Sequence, residues 1–216
     1  MASMEDIELQ AGFTAHARIL RPAAAVFLLA VSIYAGVLLS QGSERAGTAI
    51  AAYVHDVVAS SRTGLGATEE ARLAQVIVGE SEAHNLDPLF ILALIKTESE
   101  FNNWSRSSKG ALGLMQIMPS TGRELAGALS LDWRGEATLL DPYTNVKIGV
   151  YYFNTLKSRY NHDTKLSLAA YNAGPRRVRE LMQSGSPVGE AFSARVLAHY
   201  NEMKERSEAY ANERKF

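Results

Sequence analysis

Apolar positions along this chain form one unbroken run near the start and then a series of stripes at helical spacing. From Pro22 to Ser43 no residue is charged. At about 1.5 Å rise per residue, roughly 20 apolar residues cross a hydrocarbon core of about 30 Å, so the run predicts a membrane-spanning helix over 22–43. Arg18 and Arg21 precede it, and Glu44 and Arg45 follow. The excess of basic residues on the N-terminal side places 1–21 in the cytoplasm and everything downstream outside. A cleaved signal peptide is the alternative, with Ser40-Gln41-Gly42 as the cut site, although a signal core of about 7–15 residues is shorter than this run. A buried soluble helix is a poorer fit, because an all-round apolar helix at the end of a small domain lacks protein to cover it.

Downstream the pattern turns amphipathic. Residues 44–60 are rich in Ala and Val with polar residues between them, and Ser-Ser-Arg-Thr-Gly-Leu-Gly follows. This reads as a short juxtamembrane helix and a linker, 44–67 together. Helix starts then recur: Thr68 as N-cap before Glu69 and Glu70, Asp87-Pro88 and Asp141-Pro142 as N-cap and first helical residue, and Asp163 before a helix that stops at Gly174-Pro175. No strand-like alternation of useful length appears. The expected fold is mainly α, one helical domain over 68–207 after the N-terminal transmembrane helix, with a Ser/Gly loop at 105–113 and a polar tail at 208–216.

Composition narrows the chemistry. With 216 residues and 47% hydrophobic positions the chain can bury a core beyond its anchor. The absence of cysteine excludes a disulfide scaffold, a thiolate metal site and a cysteine nucleophile. Of 22 basic and 23 acidic residues, two and three precede Glu44, leaving 20 of each beyond it. A nucleic-acid binder carries a basic surplus, so nucleic acid is not an expected partner. The five histidines lack paired metal-ligand spacing, and Gly64-Leu65-Gly66 lacks the lysine of a phosphate-binding loop. Arg176, Arg177 and Arg179 read as a solvated helix face.

One carboxylate stands out. The helix opened by Asp87-Pro88 runs through Leu89, Phe90, Ile91, Leu92, Ala93, Leu94 and Ile95, apolar nearly all round. Counting back from Glu98, Ile95, Leu94 and Ile91 lie three, four and seven residues earlier, which sets Glu98 on the apolar face. Glu100 has Lys96 and Ala93 at comparable offsets and can face water. Burial and the negative end of the helix dipole both disfavour a charged Glu98. A carboxyl group that keeps its proton near neutrality can serve as a general acid. Alone, the same residue reads more readily as a helix-end glutamate that snorkels to solvent or caps a neighbouring turn.

Three stretches together give Glu98 its context: Glu98-Ser99 at the end of the apolar helix, Gly110-Ala111-Leu112-Gly113-Leu114-Met115-Gln116-Ile117-Met118-Pro119, and Ala170-Tyr171-Asn172-Ala173-Gly174-Pro175. In order and spacing they resemble the SLT-type lytic transglycosylases over about residues 70–204. Asp141-Pro142 with Asn145, Gly149 and Tyr152 resembles that family's linking helix. The resemblance implies an α+β, goose-type lysozyme-like fold and cleavage of the β-1,4 bond between N-acetylmuramic acid and N-acetylglucosamine in peptidoglycan. It implies Glu98 as acid and then base, closure of the muramic C6 hydroxyl on C1 to a 1,6-anhydro end, and no metal or organic cofactor. Glycosidases usually need two carboxylates, and no convincing second one is legible here. A substrate that supplies its own nucleophile removes that need.

Further roles follow from the resemblance. Ser99 and Gln116 match positions that contact sugar. Met115 would pack on the sugar, with a core role equally open. Tyr171 resembles the tyrosine whose hydroxyl holds the catalytic carboxylate, and Asn172 the adjacent substrate contact; a core aromatic and a helix stop are the plainer readings. Tyr152 is a further candidate. Asn103 stands where relatives commonly have Pro, which reads as a turn change, and Phe192 where a Tyr often stands. The expected partners are a peptidoglycan glycan strand and the membrane, at the bacterial inner membrane with the catalytic domain in the periplasm. A lysozyme-like muramidase and a non-catalytic peptidoglycan-binding scaffold are the alternatives.

Overall fold

The computed structural model describes residues 44–214. The predicted spanning segment 22–43 lies outside them, and among the described residues no helix is long and apolar enough to cross a membrane. From Thr48 onward the chain forms one unit built of helices, with strand-like pairing among the described residues limited to isolated bridges at Leu112. Helix α1 covers 44–59. It is followed by α2 (Ala67–Ala83), α3 (Pro88–Ser99), α4 (Pro119–Ala128), α5 (Glu136–Leu140), α6 (Pro142–Arg159), α7 (Thr164–Ala173), α8 (Pro175–Gln183) and α9 (Glu190–Arg214).

The caps explain where the helices begin. Asp87, Asp141 and Asp163 each accept a hydrogen bond from a backbone N–H of the first turn: Leu89 at 2.9 Å, Thr144 at 2.8 Å and Leu166 at 2.9 Å. These bonds satisfy donors that have no partner within the helix. Helix α2 departs from expectation. Its N-cap is Gly66, whose N–H donates to the Glu69 carboxylate at 2.9 Å, so the helix starts ahead of Thr68.

Helix α3 is the central rod, with Leu89 through Ile95 all buried. Among α2 and α4–α9, helix α9 packs along it most extensively, and it holds both of its ends. At the start, the Tyr200 hydroxyl donates to Asp87 Oδ2 at 2.6 Å; near the finish, Lys96 pairs with Glu202 at 3.2 Å. Helices α6 and α7 close the other side through Phe153, which lies 5.0 Å from the Phe90 ring and is fully buried.

The segments on either side of the expected domain join this unit. Ala49, Tyr53, Val54 and Val58 of α1 are buried at helical spacing. Tyr53 meets Tyr210 edge-on, with ring centroids 5.6 Å apart. Residues 208–214 continue α9, where the Tyr210 hydroxyl donates to Asp56 at 2.7 Å and Arg214 reaches the same carboxylate at 3.1 Å.

Candidate active site

The chain reverses immediately after α3. Glu100 and Phe101 both adopt positive φ, 52° and 66°, a conformation that costs a non-glycine residue about 1 kcal/mol or more. Burial of Phe101 offsets that cost. The turn leaves Glu98 in the last helical turn, partly buried. No hydrogen bond or ion pair to its carboxylate occurs among the described residues. Burial pushes Glu98 up to about 7, opposed by the attraction of the Arg195 guanidinium. A carboxyl with no donor to stabilise its charged form is expected to hold its proton this way.

The loop after α3 folds back onto it. Ser99 Oγ donates to Leu114 O at 2.8 Å and to Ile95 O at 3.2 Å, latching loop to helix. Leu112 and Ile117 exchange backbone hydrogen bonds of 3.0 Å, and the turn between them places Gln116 at φ 48°. The Gln116 side-chain amide donates to Gly113 O at 2.9 Å and Ser105 O at 3.2 Å. Its NH₂ is thereby spent within the loop, and its carbonyl oxygen is what remains for a ligand.

Met115 has no exposure, so of its two possible roles the core one applies in this conformation. Its N–H donates to Asn145 Oδ1 at 2.8 Å and its carbonyl accepts the Tyr171 hydroxyl at 2.8 Å. The Tyr171 hydroxyl is therefore committed to the Met115 backbone rather than to the Glu98 carboxylate. Burial pushes the Tyr171 phenol up, and the nearby Glu98 and Tyr152 push it in the same direction. Tyr152 lies against it, ring centroids 5.3 Å apart. Asn172 is exposed beside it. Glu98, Ser99, Gln116 and Tyr171 thus gather on one framework, Tyr152 backs it, and Asn172 faces solvent.

Two residues had escaped notice as parts of this site. Asn145 is fully buried, and its Nδ2 donates to Leu112 O at 2.9 Å and Leu139 O at 2.8 Å. With Oδ1 on Met115, it clamps the loop to α6. Glycines allow that approach. A Cβ at Gly113 would fall 2.4 Å from Asn145 Nδ2, and one at Gly149 would fall 2.4 Å from Met115 Sδ. The spacing Asp141, Asn145, Gly149 was the available signal, a polar-and-small line at four-residue intervals beside the apolar positions Val146, Ile148, Val150 and Phe153. Arg195 gave none, since only the packing of α9 on α3 brings it to Glu98.

Asn103 is more than a turn change. It is fully buried, donates from Nδ2 to Leu140 O at 3.1 Å and from its backbone to Thr63 O at 3.3 Å, joining the loop to α5 and to the α1–α2 connection. Phe192 is buried, with Arg195 over its ring at 5.9 Å. Arg176 and Arg177 both pair with Glu180 on the exposed face of α8. Among the described residues no three His, Asp or Glu side chains converge to hold a metal ion.

Comparison with known proteins gives the following. The transglycosylase SLT domain model matches residues 75–187. A soluble lytic murein transglycosylase of Salmonella typhimurium is 41% identical over 91 residues, covering 42% of this chain and 14% of that protein. A membrane-bound lytic murein transglycosylase C of Mannheimia succiniciproducens is 33% identical over 113 residues, 48% of this chain and 32% of that one. This chain therefore spans only a minor part of each relative's length. Among solved structures, an inactive glutamate-to-glutamine variant of lytic transglycosylase Slt from Pseudomonas aeruginosa aligns with a TM-score of 0.50 at 26% identity, over 65% of this chain and 24% of that one. The 70 kDa soluble lytic transglycosylase of Escherichia coli aligns with a TM-score of 0.50 at 27% identity, over 64% and 24%.

Proposed function

The chain belongs to the transglycosylase SLT domain family, and from that premise we propose that it cleaves the MurNAc–GlcNAc β-1,4 bond of peptidoglycan without water, with Glu98 as acid and then base. The observation that supports this most directly is the partnerless, partly buried Glu98 carboxyl, held near a pKa of 7. At neutral pH it has a proton to give and, once charged, little to stabilise it. The proton passes to the glycosidic oxygen as the C1–O bond breaks. The carboxylate so formed takes the proton of the muramic C6 hydroxyl as that oxygen bonds to C1. The products are a free GlcNAc hydroxyl and a 1,6-anhydro-MurNAc end, and Glu98 returns to its starting state.

Glu100, Asp141 and Asp132 do not compete for a nucleophile's role. Glu100 is exposed on the far side of the turn, Asp141 caps α6, and Asp132 pairs with Arg134 in solvent. A glycosidase that lacks the second acid relies on its substrate. Ser99, Gln116, Tyr152 and Asn172 are assigned to the surroundings of the sugar and Tyr171 to support of the loop. The anchor is assigned to 22–43, the cytoplasmic segment to 1–21 and the catalytic region to the periplasmic side of the inner membrane. The uncharged run and a relative named as membrane-bound support that placement.

Mass spectrometry of sacculi digested by the purified full chain tests the reaction. Anhydro-muropeptides are expected, and the Glu98→Gln variant should release none. Reducing muramic ends would instead identify a muramidase, and intact glycan a binding module. Membrane fractionation with N-terminal sequencing tests the anchor.

A further inference from the structure

Neither aromatic residue expected beside Glu98 gives its carboxyl a donor. The Tyr171 hydroxyl is bonded to Met115 O, and Phe192, where relatives often carry Tyr, is buried and brings no hydroxyl. One turn along α9 from Phe192 stands Arg195, its guanidinium 5.9 Å from the Phe192 ring. Arg195 lines the cleft between α1, the end of α3 and α9 together with Thr97 and Ser99, the neighbours of Glu98 on either side. It has no acidic partner within ion-pair distance among the described residues. It acts on Glu98 through space, without a direct ion pair, against the effect of burial. The other charged and titratable groups around this seam are engaged elsewhere or neutral. Glu202 is held by Lys96 at 3.2 Å, Arg206 at 3.3 Å and His199 at 3.7 Å. Asp56 of α1 is held by Tyr210 and Arg214, and Glu70 of α2 accepts the Thr63 hydroxyl. Tyr171 of α7 and Tyr152 of α6 stay neutral, burial raising both. Arg62 and Glu100 line the same cleft, yet Arg195 is the cation whose attraction reaches Glu98.

We propose that Arg195 is a positioning residue for the reaction, the counter-charge that α9 supplies to the Glu98 carboxylate in place of a hydroxyl donor. The proposal rests on the reading of Glu98 as acid and then base. A group that must give a proton and take one back in the same turnover works best where both of its forms are populated. Burial alone would hold the proton too firmly, because it disfavours the charge left behind. A guanidinium keeps its charge at every working pH. Standing off rather than pairing directly, it eases formation of the carboxylate without trapping it. Arg195 lies beyond the matched stretch 75–187, so this adjustment comes from a helix outside the family match.

The test reads the carboxyl itself. In the full-length chain isotope-labelled at its glutamate carboxyls, the Glu98 signal is identified by its loss in Glu98→Gln and titrated by NMR. Arg195→Gln is expected to move its midpoint upward from about 7, by about half a pH unit or more, and Arg195→Lys to hold it near its starting place. Arg206→Gln and His199→Gln, which alter other groups of the same seam, should leave it unmoved. The fall of kcat/KM on glycan strands should shift to higher pH in Arg195→Gln by the same amount as the midpoint, a change that a merely structural role would not produce. A midpoint unmoved by Arg195→Gln, or moved as far by Arg206→Gln or by Arg195→Lys, would overturn the proposal. Were the cleavage reading wrong instead, the midpoint would still rise in Arg195→Gln, while the unaltered chain would release no anhydro ends.

Discussion

A carboxyl group that gives up its proton at about pH 7 leaves two marks that can be measured separately. The first is kinetic. If protonated Glu98 is the acid, kcat/KM on glycan strands falls as pH rises through about 7, and a rate that holds level to pH 8.5 would refute the assignment. The second is thermodynamic. In the unfolded chain Glu98 titrates near its ordinary 4.5, and in the folded chain near 7, so between those values the folded state binds the extra proton. Stability contributed by this group is therefore complete below 4.5 and is lost as pH rises toward 7, by about 3 kcal/mol for a shift of this size. Glu98→Gln should match the unaltered chain in thermal melts at pH 4 and exceed it at pH 8. An advantage of equal size at both pH values would show that charge burial is not its source. The placement of Glu98 was legible because the offsets to Ile95, Leu94 and Ile91 lie within one helix. The direction of the Tyr171 hydroxyl was not, because Met115 O is 56 residues away in sequence and no local pattern records that approach.

At the scale of elements, the site is a helix end and a loop held in register by α6, α7 and α9. A tight seat within α6 is Gly149 under Met115, where an added Cβ would overlap both Sδ and Cβ of the methionine. Gly149→Ala is expected to push Met115 away from Asn145 and Tyr171, costing about 1–3 kcal/mol as overpacked cores do and lowering kcat along with it. Chemical denaturation and single-turnover assays check the pair, and a fully active, equally stable variant would show that the loop is held by other means. Helix starts at Asp87, Asp141 and Asp163 were readable, since a capping carboxylate and the N–H it accepts are neighbours in sequence. Thr68 misled because Glu69 reaches back to Gly66, a competing cap one turn wide that composition cannot rank. The pinning of α3 by Tyr200 and Glu202 was invisible for the opposite reason: it joins positions more than a hundred residues apart.

At the scale of the whole molecule, the helix ahead of the matched stretch and the last turns of the chain belong to one hydrophobic core with the site. Val54 is fully buried and faces that core from α1. Val54→Ala removes two methyl groups' worth of apolar contact, about 2 kcal/mol, and should lower the urea midpoint without changing the slope of unfolding. A midpoint shift that, multiplied by the slope, comes to less than a tenth of that energy would mean α1 is loosely attached. Reading α1 as a separate juxtamembrane element was natural, because its polar residues are interspersed and the Ser/Gly-rich stretch behind it resembles a linker. That stretch is nonetheless seated, with Thr63 buried and bonded to Glu70 at 2.5 Å. Excising the chain at the borders of its family match would strip α1 and α9 from the unit and leave greasy surface on α3 with nothing to shield it. Shortened versions of this kind should clump in solution, and a lack of activity in them would say nothing about catalysis.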